Sequence, residues 1–375
     1  MPSDQFVCVA GEHADASDFD LSHDLNVRRF PLKMDEQGIH NWQTLRSYWG
    51  LFRKLCRIVR RENCTSIHCG CCLPEGWLAC LFKKIYGLPY VCYVHGEEID
   101  AVQSNRELRW MIRGILHDSQ RLIARSQNTA RLLNEDWGIP KRQIDVLSPG
   151  VDTTWFVPAA RNESVLKQLG WKDRTVILTV GRMRDRQGHD TVIRALSAIC
   201  EAVPDVVYSI IGDDEQRVSL ERLVRDERVE DQVQFLGEVS EEDMLRCYQQ
   251  CDLVALPDHG LVRDVAGSGM VLLEAQSCGR PVLAGVAGSM PEILKPGATG
   301  LLTRWESPNE VSESLTRLLL APDVLREMGR HARPWMVNNY DWSVLSRKAA
   351  DLFGLTLRST VAAGAAVNDS AGVQP

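Results

Sequence analysis

The sequence predicts an α/β protein with two domains, each built on a doubly wound parallel sheet. Apolar runs of strand length alternate with longer segments of helical period over nearly all of the 375 residues. This alternation is typical of parallel strands covered by helices. The length also exceeds what one hydrophobic core usually supports. Because the alternation pauses over residues 152–173, we expect one domain on each side of that segment.

The first domain is predicted to span residues 1–153. In its longest helix, Leu45, Leu51, Leu55 and Ile58 or Val59 recur near one face. Pro74 is well placed in the first turn of the next helix. The predicted strands are FVCVAG, VRRFPLK, TSIHCG, PYVCYVHG, RLIARS and QIDVLSPG. The predicted helices are TLRSYWGLFRKLCRIVRREN, PEGWLACLFKKIYGL, ELRWMIRGILHDS and NTARLLNEDWG.

The second domain is predicted over residues 154–340 and is followed by a helix over 341–357. Ser240 followed three residues later by Asp243 predicts a capped helix start. Residues 358–375 hold few large apolar groups, so we expect them to be disordered. The predicted strands are RTVILTVG, VVYSIIGD, QVQFLG, DLVALPD, PVLAGV and GLLT.

Composition and charge narrow the class of protein. The formal net charge is −7, which offers no overall attraction to nucleic acid. The sequence has no apolar run of about 18 residues and no signal peptide at its start, so we expect a cytoplasmic protein. Twelve cysteines are too sparse for a disulfide scaffold. The cluster Cys64, Cys69, Cys71 and Cys72 lacks the paired spacing of a zinc site, which favours packing over metal binding.

Ligands of parallel α/β proteins bind at the carboxyl ends of strands, and four such ends carry distinctive residues. They are His95 in VHGEE, Gly181 with Arg182, Arg184 and Arg186, Gly212 in IIGDDE, and the turn GSGMVLLE. In the last of these, Gly267 and Gly269 allow close approach of the backbone, and the free N–H groups of the following helix form an anion site. The arginines are either diphosphate ligands or a solvated basic loop.

Glu274 follows that turn and has two interpretations. Its carboxylate either interacts with the positive helix end or accepts hydrogen bonds from two ribose hydroxyls. We favour the ribose, since Glu274 lies between Leu273 and Ala275 behind the expected phosphate site. Neither a G-x-G-x-x-G fingerprint nor a Walker A motif is present, so a dinucleotide or P-loop site is excluded.

The ordered motifs resemble a known family. They are SPGVDTTWF, GRMRDRQGHDTVIRAL, IIGDDEQ, VQFLGEVSEEDMLRCYQQCDLVALP, GSGMVLLEAQSCGRPVLAG, GSMPEIL and ATGLL. Over about residues 60–355 they resemble family 4 retaining glycosyltransferases of GT-B fold, most closely members that transfer mannose or glucose. The resemblance implies two Rossmann-like domains facing across a cleft, a donor nucleotide sugar on the second domain and an acceptor on the first. It implies a last helix that crosses back to the first domain, and no metal or other cofactor.

The resemblance also assigns roles to individual residues. Arg182 matches the arginine at the donor diphosphate, Glu274 the ribose ligand, and His95 the strand-end histidine beside the donor sugar. The catalytic assignments are therefore His95 and Arg182. The donor-binding assignments are Arg182, Gln187, Gly237, Glu238, Val239, Ser268, Gly269, Met270, Val271 and Glu274.

The sequence departs from the family pattern in three ways. Ala266 stands where the first of two glutamates is expected, and Gln187 stands where a lysine joins the arginine. Asp264 is a candidate replacement for the glutamate, and Arg184 or Arg186 for the lysine. FVCVAG matches the second family strand, so the first strand and its glycine-rich loop are expected to be lacking.

Two functions from different classes remain open. The first is a retaining hexosyltransferase that uses a GDP-mannose or UDP-glucose type of donor and a lipid-linked, polysaccharide or other glycan acceptor. The second is a catalytically weakened relative that binds a nucleotide or a partner. The basic segment FRKLCRIVRREN is either a solvated helix face or a peripheral contact with the inner face of a membrane.

Overall fold

A computed structural model describes residues 6–13, 16–22, 25–31, 41–102, 105–184, 187–257 and 269–353. The chain forms two compact units. The smaller unit comprises Met1–Asp35 with Ser346–Pro375, and the larger comprises Glu36–Leu345. The tail predicted to be disordered, residues 358–375, lies outside the described residues. The predicted boundaries between residues 153 and 154 and between residues 340 and 341 stay predictions.

The smaller unit contains a two-stranded parallel sheet of β1 (Cys8–Gly11) and β2 (Val27–Phe30), joined by α1 (Ala16–Ser22). Arg29 of β2 forms an ion pair with Asp20 of α1, with 2.6 Å between Nη2 and Oδ1, and also donates to the carbonyl oxygen of Gly11. We expected one sheet for the whole first domain, and the structure has two. Both strands of the extra sheet are short and only half-buried.

The first half of the larger unit is a parallel sheet in the order β3-β4-β5-β6. We call it the β3–β6 half. Its strands are β3 (Ile67–Cys69), β4 (Tyr90–Val94), β5 (Arg121–Ala124) and β6 (Ile144–Val146). Its helices are α2 (Trp42–Arg61), α3 (Trp77–Tyr86), α4 (Glu97–Ala101), α5 (Arg106–Asp118) and α6 (Gln127–Glu135). Nearly all of the predicted elements are therefore present.

One local expectation in this half is wrong. Leu45 is 38% exposed, because the buried face of α2 is centred instead on Tyr48, Leu51 and Phe52. The Phe52 ring packs against Phe82 of α3, with ring centroids 4.5 Å apart. Pro74 lies in the helical turn Cys72–Gly76, which continues directly into α3 at Trp77, so its predicted place in the first turn of this helix is confirmed.

The second half of the larger unit is a six-stranded parallel sheet in the order β12-β11-β10-β7-β8-β9, here called the β7–β12 half. Its strands are β7 (Thr175–Val180), β8 (Val206–Ile211), β9 (Val233–Gly237), β10 (Leu253–Leu256), β11 (Val282–Gly285) and β12 (Gly300–Thr303). The order reverses direction between β7 and β10. This is the doubly wound Rossmann arrangement, in which ligands bind at the strand ends beside the reversal.

Helices cover both faces of this sheet. They are α8 (His189–Ala202), α9 (Arg217–Asp226), α10 (Glu241–Gln250), α11 (Gly269–Ser277), α12 (Met290–Ile293), α13 (Pro308–Leu319) and α14 (Pro322–Asn339). Helix α7 (Glu163–Gln168) lies in the segment before β7, and α15 (Trp342–Phe353) follows α14 in the chain. Val176 and Leu178 of β7 join one hydrophobic cluster, while Ile177 joins the other. Alternate residues of a strand point to opposite faces, so the sheet separates two cores.

Local signals in the sequence correctly predict several features of this half. Ser240 caps α10, because its hydroxyl accepts a hydrogen bond from the backbone N–H of Asp243 at 3.1 Å. Across the whole chain, the twelve cysteines form no disulfide, in agreement with the expectation that they are too sparse for a disulfide scaffold, and seven of them are buried. Among the described residues, no helix combines the length and apolar character required to span a membrane.

Two sets of contacts join the halves of the larger unit. Glu292, at α12, accepts hydrogen bonds from the backbone N–H groups of Gln127 at 2.7 Å and Asn128 at 2.8 Å, in the first turn of α6. Val151 exchanges backbone hydrogen bonds with the end of α14 and the start of α15, through Tyr340 and Trp342. The polypeptide therefore connects the halves both along the chain and through a side chain.

Candidate functional site

Three adjacent strand ends of the β7–β12 half come together at glycines. Gly181 follows β7, Gly212 follows β8, and Gly237 ends β9. Gly181 donates to the carbonyl oxygen of Ile211 at 3.0 Å, and Gly212 to that of Gly237 at 2.8 Å. Gly212 has φ +124°, and a Cβ there would collide with the carbonyl oxygen of Gly181. A larger residue would therefore separate these strand ends.

A cleft of about 690 Å³ opens beside these glycines. Among the residues singled out from the sequence, Gly181, Arg182, Arg184, Glu238 and Val239 line it together. The end of β8 supplies the other wall with Gly212, Asp213 and Asp214. The site thus lies beside the reversal of strand order, where doubly wound sheets bind their ligands.

The two described arginines of this cleft differ in their partners. Arg184 forms an ion pair with Asp214, with 3.0 Å between Nε and Oδ2. Hydrogen bonds from the backbone of Glu215 and from Arg184 lower the pKa of the Asp214 carboxyl. Within the described part of the chain, the exposed guanidinium of Arg182 has no hydrogen-bond partner. Arg182 is therefore the cation available to an anionic ligand, and the structure gives no support to Arg184 as a substitute for a lysine at position 187.

A buried histidine supports the backbone that carries Arg182, and sequence reasoning did not single it out. His189 begins α8, and its Nε2 lies 3.4 Å from the carbonyl oxygen of Arg182. Its Nδ1 lies 3.0 Å from the Tyr208 hydroxyl. Burial lowers the pKa of His189 to about 4, so the ring is neutral near pH 7. Because a carbonyl oxygen only accepts, Nε2 carries the proton and Nδ1 accepts from Tyr208.

Gln187 lies close to the end of β7 but is not among the residues that line the cleft. Its side-chain amide nitrogen would lie 3.3 Å from a Cβ on Gly181. Its side-chain oxygen is buried and has no hydrogen-bond partner among the residues that the structure describes. An unpaired buried acceptor is costly, which marks Gln187 as a residue that a ligand or water would satisfy. Its neighbour Arg186 lies outside the described residues.

Helix α11, which follows the first two residues of the predicted turn GSGMVLLE, begins at Gly269. A Cβ on Gly269 would lie 2.6 Å from Cδ1 of Ile293, so a larger residue here would displace the tip of the Ile293 side chain. Met270 and Val271 pack on the hydrophobic core, and their N–H groups belong to the first turn, which has no intrahelical acceptor. Ser268, Asp264, Ala266 and the rest of the turn lie outside the described residues.

Glu274 of α11 has a partner that sequence reasoning missed. The hydroxyl of Tyr248, in α10, donates to Oε2 of Glu274 at 2.7 Å. Burial raises the pKa of Glu274 to about 6, and the hydrogen bond from Tyr248 opposes that rise. A Tyr so close to a glutamate cannot be recognised from sequence, because the two residues are 26 positions apart.

His95 follows β4 in the β3–β6 half and is exposed. Its Nε2 lies 2.7 Å from the carbonyl oxygen of Gly70, which follows β3, so this nitrogen donates. The carboxylate of Glu98 accepts from the backbone N–H groups of His95 and Gly96, each at 3.0 Å. Glu98 therefore fixes the backbone of His95, and the Gly70 carbonyl oxygen orients its ring. No three His, Cys, Asp or Glu side chains in the described ranges are grouped as ligands for one metal ion.

Comparison with known families identifies both halves of the chain. Residues 162–335 match the model described as Glycosyl transferases group 1, and residues 7–155 match the model described as Glycosyltransferase Family 4. The two matches divide the chain at the segment that was predicted to connect two domains.

Two curated relatives match about four fifths of this chain. A GDP-mannose-dependent monoacylated alpha-(1-6)-phosphatidylinositol monomannoside mannosyltransferase of Corynebacterium glutamicum is 30% identical over 305 residues, which cover 80% of this chain and 78% of the relative. A GDP-mannose-dependent alpha-(1-6)-phosphatidylinositol monomannoside mannosyltransferase of Mycolicibacterium smegmatis is 28% identical over 299 residues, covering 79% and 78%.

Solved structures confirm the fold. The Anabaena protein HepE, solved in complex with UDP, superposes with a TM-score of 0.76 at 19% identity, covering 92% of this chain and 91% of HepE. A glycosyltransferase of Rickettsia africae superposes with a TM-score of 0.73 at 16% identity, covering 92% and 89%. The predicted α/β architecture of GT-B type is therefore correct.

Proposed function

This chain belongs to glycosyltransferase family 4 and is a hexosyltransferase, and we propose that it transfers mannose from GDP-mannose to a lipid-linked glycan. The observation that carries the proposal is the cleft at the ends of β7, β8 and β9. It offers the exposed guanidinium of Arg182, which has no hydrogen-bond partner among the described residues. The names of the relatives support the donor and the class of acceptor.

The donor diphosphate is assigned to Arg182 and to the first turn of α11. A guanidinium binds two phosphate oxygens at once, and the N–H groups of a helix start favour an anion. As the bond from the sugar to the diphosphate breaks, negative charge grows on the leaving oxygen. Donors that are already in place stabilise this charge without reorganisation. We assign this work to the protein's own groups rather than to a metal ion.

The nucleoside is assigned to the region between this cleft and α11. The carboxylate of Glu274 accepts hydrogen bonds from the ribose hydroxyls, and the backbone from Gly237 to Val239 covers the base. Two observations support this placement. Glu238 and Val239 line the cleft beside Arg182, and Val239 packs on the same core cluster as Met270 and Val271 of α11.

The transfer proceeds with retention of configuration in this proposal. His95, held by the carbonyl oxygen of Gly70, orients the sugar hydroxyls. The acceptor hydroxyl attacks the anomeric carbon from the face that the diphosphate leaves, and its proton passes to the departing diphosphate oxygen. One C–O bond forms, one breaks, and no further reactant is required.

A lipid-linked acceptor brings the protein to a membrane surface, and α2 has the chemistry for that contact. Trp42 and Trp49 are 82% and 60% exposed. Together with Arg46, Arg53 and Arg57, which are also exposed, they follow the three-and-four spacing of one helix face. Indole rings favour the membrane interface, and arginines are attracted to anionic lipid. We propose that this face of α2 touches the membrane.

The test is donor turnover with purified protein. GDP-mannose and UDP-glucose are each supplied with a membrane lipid extract, with EDTA present and absent, and release of nucleoside diphosphate is measured. We expect turnover of GDP-mannose in EDTA. Arg182→Ala and His95→Ala should each lower kcat/KM by on the order of 100-fold, since each removes a group that acts on the charged or reacting part of the donor.

Matched controls separate these roles from general damage. Arg194→Ala removes an exposed arginine of α8 that pairs with Glu227, and His117→Ala removes an exposed histidine of α5. Both should retain full activity. Tight binding of GDP without any turnover would contradict the proposed reaction and favour the catalytically weakened alternative. Full activity of Arg182→Ala would contradict the assignment of the diphosphate site.

A further inference from the structure

We propose that Tyr248 is a positioning residue for nucleotide binding, because it fixes the carboxylate of Glu274 so that its other oxygen faces the ribose. The inference rests on the proposed function, which assigns the ribose to Glu274. It adds a residue from a different helix, α10, that touches no substrate itself. The carrying observation is the hydrogen bond of 2.7 Å between the Tyr248 hydroxyl and Oε2 of Glu274.

The ring of Tyr248 is held rigidly. It is fully buried and belongs to the hydrophobic cluster on one face of the β7–β12 sheet. The Phe156 ring packs edge-on against it, with centroids 6.1 Å apart. The backbone of Phe156 is fixed in turn, because its carbonyl oxygen accepts from Ser277 and Arg333, both at 2.7 Å. The hydroxyl therefore has one direction in which to donate.

The pairing leaves half of the carboxylate for a ligand. Glu274 is only partly buried, whereas its neighbours Leu273 and Ala275 are fully buried. Within the described residues Oε1 of Glu274 has no hydrogen-bond partner. A carboxylate with one oxygen tied to a rigid donor loses little rotational freedom when the second oxygen binds a hydroxyl. Its bidentate capacity also lets Oε2 share a second ribose hydroxyl.

Tyr248 also affects the charge state of Glu274. The titratable groups that face this carboxyl among the described residues are Tyr248 and Glu241 of α10, and Cys278 just beyond α11. Burial and Glu241 both raise the pKa of Glu274, and only the hydrogen bond from Tyr248 lowers it. Ribose binding requires the ionised carboxylate as acceptor. Nucleotide affinity should therefore be complete above the pKa of Glu274 and fall as the pH drops through it.

The experiment compares a nucleoside diphosphate with its analogue that lacks the ribose hydroxyls. We would measure by calorimetry the affinity of GDP, or of UDP if UDP binds more tightly, and of the 2′,3′-dideoxy form. Tyr248→Phe should weaken binding of the parent nucleotide by on the order of 10-fold and leave binding of the dideoxy form nearly unchanged. The pH midpoint for the parent nucleotide should rise in this variant from about 6, since the group that lowers the pKa is gone.

A matched control and a second variant complete the design. Tyr90→Phe removes another buried hydroxyl, which donates to the Ile115 carbonyl oxygen in the β3–β6 half, and should change neither affinity. In a Glu274→Gln background, adding Tyr248→Phe should lower the affinity for the parent nucleotide only slightly further, because the two residues act as one unit. Equal losses for both nucleotides, no loss, or full additivity with Glu274→Gln would each overturn the positioning role. Turnover of GDP-mannose by the unmodified protein decides the proposed function separately.

Discussion

At the scale of single residues, the site depends on backbone approaches as much as on charged side chains. Arg182 reaches the cleft from a segment whose carbonyl oxygen is held by neutral His189. That segment follows Gly181, which lies against Gly212 so closely that no Cβ fits between them. The sequence shows a glycine at each strand end. It does not show why Gly212 must be glycine, because the colliding carbonyl oxygen belongs to Gly181, about thirty positions away in the chain.

We predict that Gly212→Ala is strongly destabilising. The substitution places a methyl group against the Gly181 carbonyl oxygen and forces alanine into φ +124°, so unfolding free energy should fall by about 3 kcal/mol or more. Urea denaturation measures this change. Gly114→Ala is the matched control, since Gly114 lies inside α5 with open space at its Cβ position. That variant should be stabilised by about 0.5–1 kcal/mol, and equal behaviour of the two would contradict the packing described.

At the scale of secondary-structure elements, α2 shows how exposure changes an interpretation. The sequence pattern predicts an amphipathic helix, and the structure confirms the helix but rotates its buried face toward Tyr48 and Phe52. This leaves Trp42, Leu45 and Trp49 exposed. These exposed tryptophans are the observation on which the proposed membrane contact of α2 rests.

The double variant Trp42→Ala, Trp49→Ala should bind anionic vesicles more weakly. We expect at least a 10-fold loss of partitioning into vesicles of phosphatidylglycerol and phosphatidylcholine, because two interfacial indoles are removed. Sedimentation of protein with vesicles measures it. Trp155→Ala removes an exposed tryptophan outside α2 and should bind as the unmodified protein does. Unchanged binding of the double variant would exclude α2 as the contact.

At the scale of the larger unit, one glutamate joins the two sheets through side-chain contacts. Both carboxylate oxygens of Glu292 accept N–H groups from the first turn of α6, where the helix dipole also favours negative charge. The carbonyl oxygen of Glu292 accepts from Tyr340, at the end of α14. The β3–β6 half and the β7–β12 half are thereby held together close to the segment that connects them.

We predict that Glu292→Gln loosens this contact. The variant loses the charge and places an amide donor opposite a backbone donor, so the N–H groups of Gln127 and Asn128 should exchange with deuterium faster. A loss of about 1–2 kcal/mol corresponds to on the order of 10-fold faster exchange. Hydrogen exchange with mass spectrometry resolves these residues. Glu313→Gln is the control at an exposed position of α13, and it should leave the exchange of Gln127 and Asn128 unchanged. Unchanged exchange in Glu292→Gln would contradict the stabilising role of this contact.

The sequence by itself determined the alternation of strands and helices, the capping of α10 by Ser240, the glycines at three strand ends and the family. These features follow from periodicity and turn chemistry, which act over a few neighbouring residues. The tertiary structure alone decided that Arg184 pairs with Asp214 while Arg182 stays available, that Tyr248 holds Glu274, and that Leu45 is exposed. Each of these depends on which helix faces which strand, and that is fixed by packing between segments far apart in the chain.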